Sequence, residues 1–168
     1  VLTLKPASAN TGIVFVRSFA DSAPRKATVS WKSVQATDLA TVLGDRSGAL
    51  VSTVEHLLAA FSGLGVDNAI VEIDGPEVPI LDGSAAQFVQ AVDGAGLTTL
   101  NSRRKYLKVL KPVRVENGAS FGELRPYDAG FRLEVEIDFA HAAIGRQRFA
   151  ATMSPSVFRR ELSAARTF

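Results

Sequence analysis

Two side chains able to do acid–base and metal chemistry stand next to each other in this chain. They are Glu55 and His56, within Val51-Ser-Thr-Val-Glu-His-Leu-Leu-Ala-Ala-Phe61. An imidazole can hold a divalent cation, and a neighbouring carboxylate can take a proton from water bound to that cation. This is the chemistry of metal-assisted hydrolysis. The chain has no Cys, so any metal would have to use His and carboxylate ligands. A lone Glu-His pair is less specific than H-E-x-x-H. A second reading therefore stands beside the first. Glu55 follows Ser52 by three residues, as the partner in a capping box would, and His56 can be a surface or hydrogen-bonded histidine.

The pair needs a helix to present it. Ser52 and Glu55 place a helix start at Ser52, Gly63 is a natural stop, and the helix is expected over residues 52–62. Val54, Leu57, Leu58 and Phe61 follow the i, i+3, i+4, i+7 spacing of an apolar stripe. Glu55 and His56 lie off that stripe with Ala59 and Ala60, whose small side chains would leave room for a ligand. Ile13–Arg17 and Asn68–Ile73 read as flanking strands. A turn-rich loop spans residues 74–83. Ser84 and Gln87 form a second capping-box pattern ahead of Ala85, Phe88, Val89 and Val92, a helix ending at Gly94 or Gly96.

Beyond Asn101-Ser-Arg-Arg-Lys105, a candidate linker, the pattern turns to strands. Residues 107–115 read as one, interrupted at Pro112. Residues 131–139 alternate apolar and charged side chains strictly, and residues 147–152 read as another strand. Ser154-Pro155 opens a last helix with Phe158, Leu162 and Ala165 on its buried side. The expected class is α+β, with helices layered on sheets in two units, 1–102 and 103–168.

Composition fits an ordinary globular protein, 46% hydrophobic and 21% charged, and no run is long enough to span a membrane. The net charge of +2 conceals an asymmetry. Residues 1–100 carry 6 Lys+Arg and 10 Asp+Glu, and residues 101–168 carry 13 and 7. A basic half can attract polyanions, yet no stacking-aromatic motif accompanies it, so nucleic acid is not expected as a partner. The first residue is Val1, so the natural N-terminus is expected to lie elsewhere.

Three ordered motifs then carry a resemblance: Ser52-Thr-Val-Glu-His-Leu57, Gly63-Leu-Gly-Val-Asp-Asn-Ala69 and Pro79-Ile-Leu-Asp-Gly-Ser-Ala85. Leu4-Lys-Pro-Ala, Asn10-Thr-Gly-Ile-Val-Phe15, Asp138-Phe-Ala-His-Ala-Ala-Ile-Gly145 and Ala165-Arg-Thr-Phe168 agree with them. Together they resemble the zinc-dependent UDP-3-O-acyl-N-acetylglucosamine deacetylases of lipid A synthesis, over essentially the whole chain. The resemblance implies two related sheet-and-helix units with an active site between them. It implies a cytoplasmic, Gram-negative bacterial enzyme whose substrate is a UDP-linked acylated amino sugar. By motif match His56 resembles one of three Zn2+ ligands and Glu55 the general base. Thr167 resembles the oxyanion-stabilising hydroxyl, and Phe168 part of the wall facing substrate.

The chain departs from that pattern. The family's His-Lys-x-x-x-Asp ligands, its general-acid His, its acyl-chain insert and its Gly-Leu-His-Ser-Gly-like opening have no counterpart here. His141 sits where the family places no ligand and is expected to be structural. The expectation is a piece of a longer enzyme, with its remaining zinc ligands beyond Phe168 and inactive by itself. The alternative is a non-catalytic α+β module that binds a nucleotide-sugar or a polyanion, or serves in assembly.

Overall fold

Two-residue alternation puts Ala69, Val71 and Ile73 on one face of a strand. These three are its buried residues in the computed structural model, which describes residues 1–166. In chain order the strands are β1 (Leu2–Pro6), β2 (Ile13–Arg17), β3 (Arg25–Thr28), β4 (Val34–Ala36), β5 (Val42–Asp45), β6 (Gly48–Val51), β7 (Ala69–Ile73), β8 (Val113–Asn117), β9 (Ser120–Leu124), β10 (Arg132–Asp138) and β11 (Arg146–Thr152). The α-helices are α1 (Glu55–Leu64), α2 (Ala86–Ala95) and one short turn, α3 (Pro155–Val157), which runs on as a π-helical turn over Phe158–Leu162, and a 3-10 turn spans Trp31–Ser33. The class is α+β, as expected.

The chain divides into two units, Val1–Arg103 together with the segment from Phe158, and Arg104–Val157. The last helical segment, read from sequence with the second unit, is thus grouped from Phe158 onward with the first.

The first unit contains a four-stranded sheet in the order β1-β7-β2-β3. β1 and β3 pair antiparallel with their neighbours, whereas β2 and β7 run parallel. Parallel pairing requires a long crossover, and that crossover contains α1. Register places Leu4, Val71, Phe15 and Ala27 in one row across all four strands, and Phe15 and Val71 are fully buried. A smaller antiparallel sheet, β4-β5-β6, precedes α1. α1 packs against α2 and the π-helical turn.

The second unit consists of two hairpins, β8-β9 and β10-β11. The register of β10 on β11 sets Leu133, Val135 and Ile137 opposite Ala151, Phe149 and Gln147. The other face carries Glu134, Glu136 and Asp138 opposite Ala150, Arg148 and Arg146. Among the described residues of this unit none is buried.

Several boundaries differ from the sequence-based expectation. α1 begins at Glu55, not at Ser52, and runs past Gly63 to close at Gly65, whose φ of 77° is the left-handed cap. Residues 107–112 are not strand, and β8 starts only after Pro112, which cannot donate to a ladder. In the final segment Phe158 is buried, but Leu162 is only half-buried and Ala165 is exposed. The wider π-helical turn shifts the side chains, and Ser163 becomes the buried residue, its hydroxyl donating to the Arg159 carbonyl at 2.7 Å.

Candidate active site

β6 ends at Val51, and the chain must turn sharply to begin α1 four residues later. Ser52 does not cap the helix. Its backbone instead forms a parallel bridge with the loop after β7: its N–H donates to the Pro76 carbonyl at 2.9 Å, and its own carbonyl accepts from Val78 N–H at 3.0 Å. The expected capping box is therefore absent, because tertiary pairing claims Ser52 first.

Thr53 makes the turn with a φ of 57°. The left-handed region costs a non-glycine residue roughly 1–2 kcal/mol, and β-branched residues are rare there. The Thr53 hydroxyl donates to Glu77 Oε1 at 2.6 Å. Val54 follows, almost wholly buried, and its carbonyl accepts from Leu58 N–H at 3.0 Å.

Glu55 and His56 are thus the first two residues of α1. Glu55 is exposed, and its Oε1 accepts a hydrogen bond from the backbone N–H of Thr41, in the loop before β5. This contact replaces the capping role considered for Glu55. His56 is half-buried. The buried side of α1 is Leu57, Ala60, Phe61 and Leu64. Ala60 therefore belongs to the core and does not open space beside the pair, while Ala59 is exposed.

The loop from Asp74 to Gly83 lies across the same turn through Pro76–Val78. It ends in Leu81, with φ 55°, and Gly83, with φ 79°. The Asp82 carboxylate then accepts from the Ser84 hydroxyl at 2.8 Å and from Ser84 N–H at 3.1 Å. Ser84 is fully buried, and its Oγ accepts from Ala86 N–H at 3.2 Å at the start of α2. The expected Ser84–Gln87 capping box does not form: the helix is preceded by Ala85 without a side-chain cap, and the Ser84 hydroxyl bonds Asp82 and Ala86 N–H instead.

The Ser84 hydroxyl holds the Asp82 carboxyl below its ordinary value. Ser84 N–H and, least, the Arg166 charge add to this, while partial desolvation opposes it. A carboxyl lowered by folding stabilises the native state above its unfolded pKa of about 4 and loses that contribution as pH falls through the folded value. Asp82→Asn should therefore lower the urea midpoint at pH 6, and the gap to wild type should close below about pH 4. A gap of constant size down to pH 2 would show that the charge is not what stabilises this loop.

His141 is exposed and organises a turn. Its Nδ1 accepts from Ala143 N–H at 3.2 Å, and its carbonyl accepts from Ile144 and Gly145 N–H at 3.0 and 2.9 Å. Thr167 and Phe168 lie outside the described residues. Among the described residues no group of three or more His, Asp or Glu side chains could hold a metal ion, and no helix is long and apolar enough to cross a membrane. The donor type of His56 suits zinc, but one imidazole is short of the three protein ligands a catalytic zinc takes. The arginines of the second unit are largely matched by carboxylates on their own hairpins, as in Arg146 with Glu136 and Arg125 with Glu123.

Sequence reasoning found Glu55 and His56 from residue type. It missed Thr53, which makes the turn, and Thr41 and Glu77, which hold Glu55 and Thr53 from elsewhere in the chain. The Asp82-Gly-Ser84 spacing was the one signal that could have exposed a further contact.

The chain was compared with known proteins. A family model described as LpxC, UDP-3-O-acyl N-acetylglycosamine deacetylase, matches residues 1–168. Proteins from Brucella ovis, Brucella canis and Brucella suis named UDP-3-O-acyl-N-acetylglucosamine deacetylase are each 57% identical over 166 residues. The aligned region covers 98% of this chain and 57% of each relative, so the chain spans little more than half their length. On these matches the chain belongs to the LpxC family of UDP-3-O-acyl N-acetylglycosamine deacetylases.

Proposed function

We propose that the longer protein containing this chain removes acetate from UDP-3-O-acyl-N-acetylglucosamine, in the cytoplasm and as a step of lipid A biosynthesis. The observation that carries this reading is identity of 57% across 98% of the chain to relatives bearing that name, with Glu55 and His56 together in the first turn of α1.

In this reading His56 is one ligand of a catalytic zinc, the others lying in the part of the relatives' length that this chain does not span. A bound zinc supplies polarisation of the amide carbonyl and a more acidic water. Glu55 is the base. One carboxylate oxygen is held by Thr41 N–H, which leaves Oε2 to accept a proton from the attacking water. The water oxygen bonds to the acetyl carbon, and the C–N bond breaks. The leaving amine takes a proton from a general acid in the part of the relatives' length that this chain does not span, while Glu55 keeps the proton of the water until product release. Thr167 supplies a hydroxyl to the developing oxyanion, an interaction worth on the order of 10²-fold in rate. Phe168 forms part of the substrate-facing wall.

The test is acetate release by the full-length protein from this UDP-sugar. Release that a zinc chelator abolishes and zinc restores supports the reading. No release from a folded, zinc-loaded full-length protein defeats it and favours a binding module.

A further inference from the structure

The turn into α1 is gripped by a segment from a different part of the chain. Pro76, Glu77 and Val78 each bond to Ser52 or Thr53: Pro76 and Val78 through the backbone, Glu77 through its carboxylate. Glycine would adopt the φ of Thr53 without steric penalty, so a threonine at this position contributes through its side chain. That side chain spends its hydroxyl on Glu77 Oε1 at 2.6 Å. On the other side of Thr53 only Val54 separates the turn from Glu55, and Val54 is anchored in the core. A rotation at Thr53 is therefore transmitted directly to the first turn of α1.

We propose that Thr53 and Glu77 are positioning residues, their hydrogen bond fixing the direction in which α1 presents Glu55 and His56. The proposal rests on the reading of Glu55 as base and His56 as metal ligand. Neither Thr53 nor Glu77 is assigned contact with the reacting atoms. They act through the helix start.

The experiment uses the full-length protein and measures kcat, KM, bound zinc per chain and hydrogen exchange along α1. Thr53→Val removes the hydroxyl and keeps the branch, and Glu77→Ala removes the acceptor from an exposed position and leaves the backbone bonds of Pro76 and Val78 to Ser52 in place. Each is expected to lower kcat about 10- to 100-fold, the range seen when groups supporting a metal site are lost. KM should stay within about threefold, the pattern of an interaction realised in the transition state. First-turn amides of α1 should exchange faster while those of β2 and β7 do not. Thr53→Ser and Glu77→Gln keep the hydrogen bond and should restore kcat to within about threefold of wild type. The Thr53→Val/Glu77→Ala double variant should be no worse than the poorer single, because both remove one interaction.

Glu55→Gln, measured in parallel, separates the two ideas. If it is inactive while Thr53→Val and Glu77→Ala keep kcat within about twofold, the clamp is overturned and the reading of Glu55 survives. If Glu55→Gln is fully active, the reading of the pair falls and the clamp with it.

Discussion

Glutamine at position 55 is expected to lower kcat of the full-length enzyme by about 10²- to 10⁴-fold, the usual contribution of a general base. Glutamine matches glutamate in shape and still offers an oxygen to Thr41 N–H, the partner of Glu55 Oε1. The loop before β5 should therefore stay in place, and the melting temperature should hold. What is lost is basicity alone. Aspartate gives the complementary result. It keeps the charge but withdraws the carboxylate by one methylene, away from both Thr41 and the water, so it should lose activity and loosen the loop together. Steady-state kinetics with hydrogen exchange at Thr41 distinguish the two variants. Glutamine within about tenfold of wild type would remove Glu55 from the role of base.

Gly63→Ala is expected to destabilise the chain even though alanine is the better helix former. A Cβ at Gly63 would lie 2.2 Å from Cγ and 2.3 Å from Cδ1 of Phe158. Those atoms are the root of the ring, not its flexible end, so the ring or the helix must move. Overpacking of this kind costs about 1–3 kcal/mol, against a propensity gain of about 1 kcal/mol. The net loss should be up to about 2 kcal/mol, read as a lower urea midpoint at unchanged slope. The sign should reverse when Phe158 is already alanine. There the ring is absent, and Gly63→Ala should stabilise by about 0.5–1 kcal/mol. Destabilisation of equal size in both backgrounds would show that the Phe158 contact is not the cause.

Legibility followed the range of the forces involved. β2 and β7 were visible as short runs rich in β-branched residues, Ile13–Arg17 and Ala69–Ile73, and β10 as the alternation of apolar and charged side chains in Arg132–Asp138. β5 was not, since Val42-Leu-Gly-Asp45 has no alternation to read and its pairing with β6 is broken by a register shift. Glu55 and His56 were legible as chemistry, but their setting was not. Ser52 looked like a helix cap and is held by Pro76 and Val78 instead. Thr53 carries no sequence mark of a left-handed turn, which its β-branch disfavours. Gly63 looked like a terminator, whereas its use is the close approach of Phe158 from far along the chain. In each case a distant partner outweighed the local pattern.

The parallel pairing of β2 with β7 has a consequence for how the protein assembles. Residue 13 finds its neighbour at residue 69, and everything that shapes the Glu55–His56 turn lies inside the ring of chain so closed or just after it. Pairings this remote in sequence pay their loop entropy before any contact returns it, and they form slowly. During synthesis β2 must wait on the ribosome until β7 has emerged. The chemistry-bearing turn is thus born late, in the same event that joins the centre of the sheet.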